Sequence, residues 1–249
     1  MSHPVLALVF SFPILWLAVR IGAALRTKWR DSIDIDDDDF NLILGATLTL
    51  LGLIIGFTFS MGVGRYDQRK NYEEEEANAI GTEYLRANLL PAADAAKVRS
   101  VLRSYLDQRI LYYTIRDEQQ LREVKIRKSQ LQDQLWSTVA TVATAQPTPV
   151  TALILSGMND VLNSEGYTVA AWRNRIPGAA WLLMGAIAIL CNLLIGYGRH
   201  GKGGLLLFVL PIALSISFFL IADIDSPRGG LIRVHPQNLE SLADSLRPQ

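Results

Sequence analysis

Residues able to carry chemistry are few in this chain, and they are scattered. Three histidines stand at positions 3, 200 and 235, and the one cysteine, Cys191, lies inside an apolar run, which excludes disulfide frameworks and cysteine-based zinc sites. There is no defensible Ser/His/Asp arrangement, no glycine-rich phosphate loop and no H-E-x-x-H motif. The expectation is a protein that is not an enzyme and holds no metal or cofactor. What remains is charge. Asp31, Asp34, Asp36, Asp37, Asp38 and Asp39 crowd the segment ahead of an apolar stretch. Two readings are open. The carboxylates form a hydrated, self-repelling loop that favours the positive N-terminal end of the next helix, or they form a vestibule in which several copies around an axis concentrate cations. The run Glu73–Glu76 reads as a solvated helix face.

The apolar stretch after the aspartates, NLILGATLTLLGLIIGFTFSMGVGRYDQRK, is the most informative segment. It holds Gly45, Gly52, Gly56, Gly62 and Gly64. The spacing Gly52-x-x-x-Gly56 permits close backbone approach, and packing between helices is sufficient reason for the glycines alone. Thr47, Thr49, Thr58 and Ser60 add polar groups that need not face lipid. A helix of this kind suits the interior of an oligomer better than its periphery.

These groups need elements to hold them. The chain balances 24 Lys and Arg against 24 Asp and Glu, yet its mean hydropathy is +0.21, so apolar residues must be gathered into blocks. Zero net charge gives no electrostatic reason to expect a nucleic acid partner. Stretches without Asp, Glu, Lys or Arg run over 4–19, 41–64, 176–198 and 203–222, the first reaching Leu25 if Arg20 snorkels. Roughly 20 helical residues cross a hydrocarbon core of about 30 Å, so four membrane helices are expected. Pro13 and Arg20 interrupt the first. No Lys or Arg precedes it and no small-x-small site follows before Arg26, which favours a retained helix over a signal peptide.

The segment between spans two and three is rich in Ala, Leu, Glu, Gln, Lys and Arg and reads as helix throughout. Nothing but glycine interrupts Leu42 to Leu90, so the second helix is expected to continue out of the bilayer. Breaks are expected at Pro91 and at Pro147 and Pro149. A middle helix places Val98, Leu102, Tyr105, Leu106 and Tyr113 on one face, then Leu121, Val124, Leu131, Leu135 and Val139 after a charged stretch. A third places Val150, Leu153, Ile154, Met158, Val161, Leu162, Val169 and Trp172 similarly. The fold class is thus all-α: an integral membrane protein with four transmembrane helices and a long-helix cytoplasmic bundle between spans two and three. Its parts are 1–64 (two spans and the acidic loop), 65–176 (helical domain), 177–224 (two spans) and 225–249 (tail). Arg65, Arg69, Lys70, Arg173, Arg175, Arg228 and Arg233 flank one side of the membrane, against Arg26, Lys28, Arg30, Arg199 and Lys202 on the other. The positive-inside rule then places the termini and residues 65–176 in the cytoplasm, although the first helix alone votes the other way.

The stretch from Gly56-Phe57 to Arg65, with Tyr66 and Gln68, resembles the end of the pore-lining second helix of bestrophin channels, and Asp225-Ser226-Pro227-Arg228-Gly229 is similar to that family's acidic-x-Pro-Phe-Gly turn. More closely, the chain resembles an uncharacterised bacterial group described as bestrophin-like, whose recurring pieces stand here as RYDQRK, EEANAIGTEYLRANLLP, WRNRIP and IADIDSPRGGLIRV. The resemblance implies an oligomeric ion channel of the bacterial inner membrane, with a pentamer favoured, whose partners are the lipid bilayer, copies of itself and permeating inorganic ions. It implies neck positions at Thr49, Leu53 and Phe57, whose four-residue spacing keeps them on one helix face. Thr49 departs from the apolar pattern. Asp36, Asp37, Asp38 and Asp39 are the candidate ion vestibule, Arg65 and Arg69 the charges at the inner mouth, and Asp225, Pro227 and Gly229 the tail turn, where Arg228 replaces the family's Phe. No acidic clasp like that of the calcium-gated animal members follows the fourth span. Ion selectivity stays open: the resemblance points to anions, and the acidic loop to cations. The competing reading is a non-conducting membrane-anchored helical scaffold or signalling module.

Overall fold

The structure is a computed structural model of the chain and describes residues 4–29, 36–198 and 205–247. Asp31 and Asp34 of the acidic loop, and Arg30, Arg199 and Lys202 from the orientation count, lie outside the described residues. Within those residues there are eight α-helices and no strand: α1 (Pro4–Trp29), α2 (Asp37–Arg86), α3 (Ala92–Thr114), α4 (Glu118–Ala145), α5 (Pro149–Arg173), α6 (Gly178–Tyr197), α7 (Val209–Asp225) and α8 (Gln237–Ser245). The chain divides into two compact units, Met1–Tyr66 with Arg175–Arg233 and Asp67–Asn174 with Val234–Gln249.

The first unit holds α1, the start of α2, α6 and α7. Four helical stretches, whose apolar parts are these, are long and apolar enough to cross a membrane. Pro13 does not break α1, which runs unbroken through it; neighbouring helices in a membrane setting tolerate such a proline. Arg20 lies over the Trp16 ring, 5.4 Å from its centroid. Leu15, Leu51, Ile176, Met184, Ala188, Cys191, Leu214, Phe218 and Ile221 form the core. The crossing of α1 and α6 is a backbone contact: a Cβ on Gly22 would strike the Leu193 carbonyl, and one on Gly196 the Val19 carbonyl. Small residues allow such approach, and close packing is what holds helices together in lipid.

In the second unit, the later turns of α2 pack with α3, α4, α5 and α8. Pro91 stops α2 as expected: Leu90 before it is extended, with ψ 162°. The break before α5 is also present, where Thr148 and Thr151 form a reciprocal capping box with Pro149 at the first turn. The middle helix is not one helix. It divides at Ile115–Asp117, and the Asp117 carboxylate accepts from the Gln120 N–H at 2.8 Å, starting α4 as an N-cap. Val98, Leu102, Tyr105, Leu106 and Tyr113 are all buried, as are Val124, Leu131, Leu135 and Val139. On α5, Ile154, Met158, Val161 and Trp172 are buried, but Val150 and Leu153 are exposed.

Glu73–Glu76 is not a solvated face. Glu74 and Glu75 are exposed, whereas Glu73 and Glu76 are 1% and 0% exposed. The three-residue spacing puts the buried pair on the inner side of the helix, where each has a partner distant in sequence. Glu73 Oε1 accepts from the Asn238 and Leu239 N–H groups, both at 3.0 Å, and its other oxygen accepts from Asn238 Nδ2 at 2.7 Å. It thereby caps α8 and ties the tail to α2. Glu76 takes a two-pronged ion pair from Arg109 and accepts from Thr168 Oγ1 at 3.1 Å. Burial works against a charged guanidinium, but Glu76 beside it prevails and holds the Arg109 pKa above its ordinary value.

Glu83, two turns further on, has no such partner. Its carboxylate is fully buried against Gly157 of α5, neither oxygen has a hydrogen bond, and Arg86 stands 3.8 Å away. Burial raises its pKa from 4.5 to about 8, with Arg86 opposing and Asp160 reinforcing the rise. The folded state therefore holds a proton that the unfolded chain releases. Stability from this group is complete below pH 4.5 and is lost as pH rises toward 8. Glu83→Gln should flatten this dependence, and thermal melts at pH 5 and pH 8 should show it gaining about 3 kcal/mol on the wild type over that interval.

An uncovered face on the second helix

The glycines and hydroxyls that mark α2 fall on two sides of the helix. Leu48, Leu51, Ile54, Ile55 and Phe59 pack on or into the core of the first unit, Thr58 is buried beside them, and Gly62 abuts Ile224. The other side carries Gly45, Thr49, Gly52, Leu53, Gly56, Phe57, Ser60 and Gly64, and among the described residues nothing covers it. A Cβ on Gly45, Gly52, Gly56 or Gly64 would meet no atom within 4 Å. Leu53 and Phe57 are 53% and 66% exposed. Among the four apolar helices α2 is the least covered, with 11% of its apolar window buried against 44% for α7.

Thr49, Leu53 and Phe57 thus share one open face. Thr49 Oγ1 donates to the Gly45 carbonyl at 2.8 Å and Thr47 Oγ1 to Ile43 at 2.7 Å. Such bonds satisfy the hydroxyl donors within the helix. Asp36 precedes α2 as a cap, accepting the Asp38 N–H at 3.1 Å, and Asp37, Asp38 and Asp39 are exposed in the first turn, where the helix dipole favours them. The charge-stabilised helix start expected of the loop is therefore present.

The two arginines after the open face differ. Arg65 is half-buried and approaches Met61 Sδ at 3.6 Å. Arg69 is 1% exposed and donates to the carbonyls of Ala171 and Asn174, at 3.3 and 3.2 Å. The guanidinium of Arg69 thus adds side-chain donors to the carbonyl end of α5, where the Asn174 N–H already donates to the Ala170 carbonyl.

The tail turn is a fold-closing device. Asp225, 4% exposed, accepts the Ile176 N–H at 3.0 Å, and Arg175 Nη1 donates to its carbonyl. Asp223, which sequence reasoning missed, accepts from Leu231 and Ile232 at 2.7 and 2.8 Å. Gly230 is pressed against backbone, and a Cβ there would strike the Asp223 and Ser226 carbonyls. Pro227 is buried within this turn. The signal for Asp223 was its place in IADIDSPRGG, two residues before Asp225. No group of three or more His, Cys, Asp or Glu able to hold a metal occurs among the described residues.

A profile of the bestrophin-like domain family matches residues 6–239. No curated protein matches the chain. Crystal structures of a bacterial bestrophin homologue from Klebsiella pneumoniae are similar in fold: a single-residue variant shares 15% identity over 99% of this chain and 96% of that one, with a TM-score of 0.67. The form solved by zinc phasing shares 15% identity over 97% and 95%, with a TM-score of 0.63. A crystal structure described as a membrane protein shares 14% identity over 99% and 98%, with a TM-score of 0.64. Two of the sequence pieces that carried the resemblance, WRNRIP and IADIDSPRGGLIRV, meet in space through Arg175, Ile176 and Asp225. With four helices apolar enough to span a bilayer and a family match over nearly its whole length, the chain is a membrane protein that belongs to the bestrophin-like family.

Proposed function

We propose that copies of this chain assemble around an axis, with five favoured, and that the open face of α2 lines an ion-conducting pore. The observation that carries this reading is the face itself: small, hydroxyl-bearing and apolar residues alternate along it, and none of the described residues covers it. Lipid would leave Thr49 and Ser60 among hydrocarbon, whereas a pore or a neighbouring copy uses them. Rings of Leu53 and Phe57 form a narrow apolar neck that gates by dewetting. Thr49, its donor already bonded within the helix, extends that neck without requiring water. Asp36, Asp37, Asp38 and Asp39 form the vestibule and draw cations to one mouth. Arg65 stands at the other, in the cytoplasm, together with residues 65–176, and the membrane is the bacterial inner membrane. The observations favour this over a non-conducting scaffold, which leaves the bare face of α2 without a role.

The test is ion flux into liposomes containing the purified protein. Wild type should conduct, and Phe57→Ala should raise the flux about tenfold by widening and wetting the neck. A protein confirmed as an oligomer that passes no ions in either form contradicts the proposal.

A further inference from the structure

We propose that a basic cavity in the second unit, independent of any pore, binds a small anion through a phosphate group. The cavity, about 290 Å³, lies between α3, α4 and α5. Arg109 is its fixed point, 1% exposed and held by Glu76. Glu165 lies beside it, its Oε1 3.7 Å from Arg109 Nη1 and 3.0 Å from Lys128 Nζ. Two carboxylates, Glu76 and Glu165, thus answer two cations, Arg109 and Lys128. Lys125 of α4 and Arg173 of α5 line the same cavity, and neither forms an ion pair among the described residues. Four cations against two carboxylates leave two positive charges, contributed by different helices.

That excess has a chemical consequence. Lys125 and Arg173, exposed on separate helices, border one recess, and an anion seated in it is attracted by both. A monovalent anion answers one of them. A phosphate monoester answers both, and its oxygens match the planar donor fork of Arg173 and the point charge of Lys125. The Ser129 hydroxyl on the rim adds a further donor or acceptor. The volume stands at the lower edge of the range for small-molecule sites, which suits a phosphate with a short organic body. Such a group could come from a soluble phosphate ester or from a phospholipid headgroup, since Arg173 precedes the apolar α6 by only a few residues.

Calorimetry on the full chain in a neutral maltoside detergent separates the outcomes. Inorganic pyrophosphate and phosphate, titrated at constant ionic strength, should bind saturably, pyrophosphate the tighter, with chloride unable to displace them. Lys125→Gln with Arg173→Gln should weaken binding at least tenfold, and unchanged melting temperature will show that these two exposed side chains are not needed for folding. Binding seen only with micelles doped with phosphatidic acid, and weakened by the same double variant, assigns the cavity to a lipid headgroup and upholds the proposal. Absence of saturable binding by all three probes, equal binding by the double variant, or displacement by chloride at equal concentration overturns it.

Discussion

Glu76→Ala should leave a chain that scarcely folds. The substitution strips the partner from Arg109, a guanidinium that is 1% exposed and fixed among Tyr105, Tyr112 and Glu165. Removing one member of a buried pair costs about 3–5 kcal/mol because the other charge stays behind without compensation. That is a large share of the roughly 5–15 kcal/mol that separates folded from unfolded states. Glu76→Leu combined with Arg109→Leu should be far milder than either alone, since apolar replacement of both groups leaves no buried charge. Denaturant melts of the purified full chain, read by near-ultraviolet circular dichroism of the Tyr112, Tyr113 and Trp172 cluster, compare the three. If the single variant is as stable as the wild type, Arg109 is not held in the way described.

An equally severe loss is expected for Gly196→Val. The side chain would be driven into the Val19 carbonyl, and a backbone atom cannot turn away as a side chain can. Overpacking of a tight contact ordinarily costs about 1–3 kcal/mol; here the whole α1–α6 crossing must separate, and Gly22→Val should reproduce the effect from the other side. Gly56→Ala provides the contrast, because its position meets nothing within 4 Å in the single chain. Size-exclusion profiles of detergent-solubilised protein should show aggregated material for the first two variants and a wild-type peak for the third.

What could be read from the sequence depended on whether the signal was local. Proline acts on its own turn, so the breaks at Pro91 and Pro149 were legible, and so was the long run of α2 between them and the apolar blocks. Asp117 is equally local, but a cap inside the charged stretch from Arg116 to Glu123 has no contrast with its surroundings. The buried charges were hidden for a different reason. Glu73 and Glu76 look like any solvated i, i+3 pair until Asn238 and Arg109 are brought to them from distant segments. Arg69 read as a membrane-edge charge because its acceptors, Ala171 and Asn174, are backbone carbonyls with no residue-type signature. Gly22 and Gly196 are unremarkable alone, and only the helix crossing joins them. The open face of α2 was the opposite case. Its glycines and hydroxyls stood out in the sequence, and the fold leaves the face that carries them uncovered by the described residues.

The most direct test of that role uses silver ions on reconstituted liposomes. Cys191 is buried and is the chain's one cysteine, so Cys191→Ser supplies a silent background into which Phe57→Cys or Leu182→Cys can be introduced. Both positions are exposed in the single chain, at 66% and 77%, but α2 is assigned to the pore and Leu182 of α6 to lipid. Silver should abolish flux through Phe57→Cys and leave Leu182→Cys unaffected. Equal silver sensitivity at both positions, or flux through Phe57→Cys that silver leaves intact, would contradict a pore lined by α2.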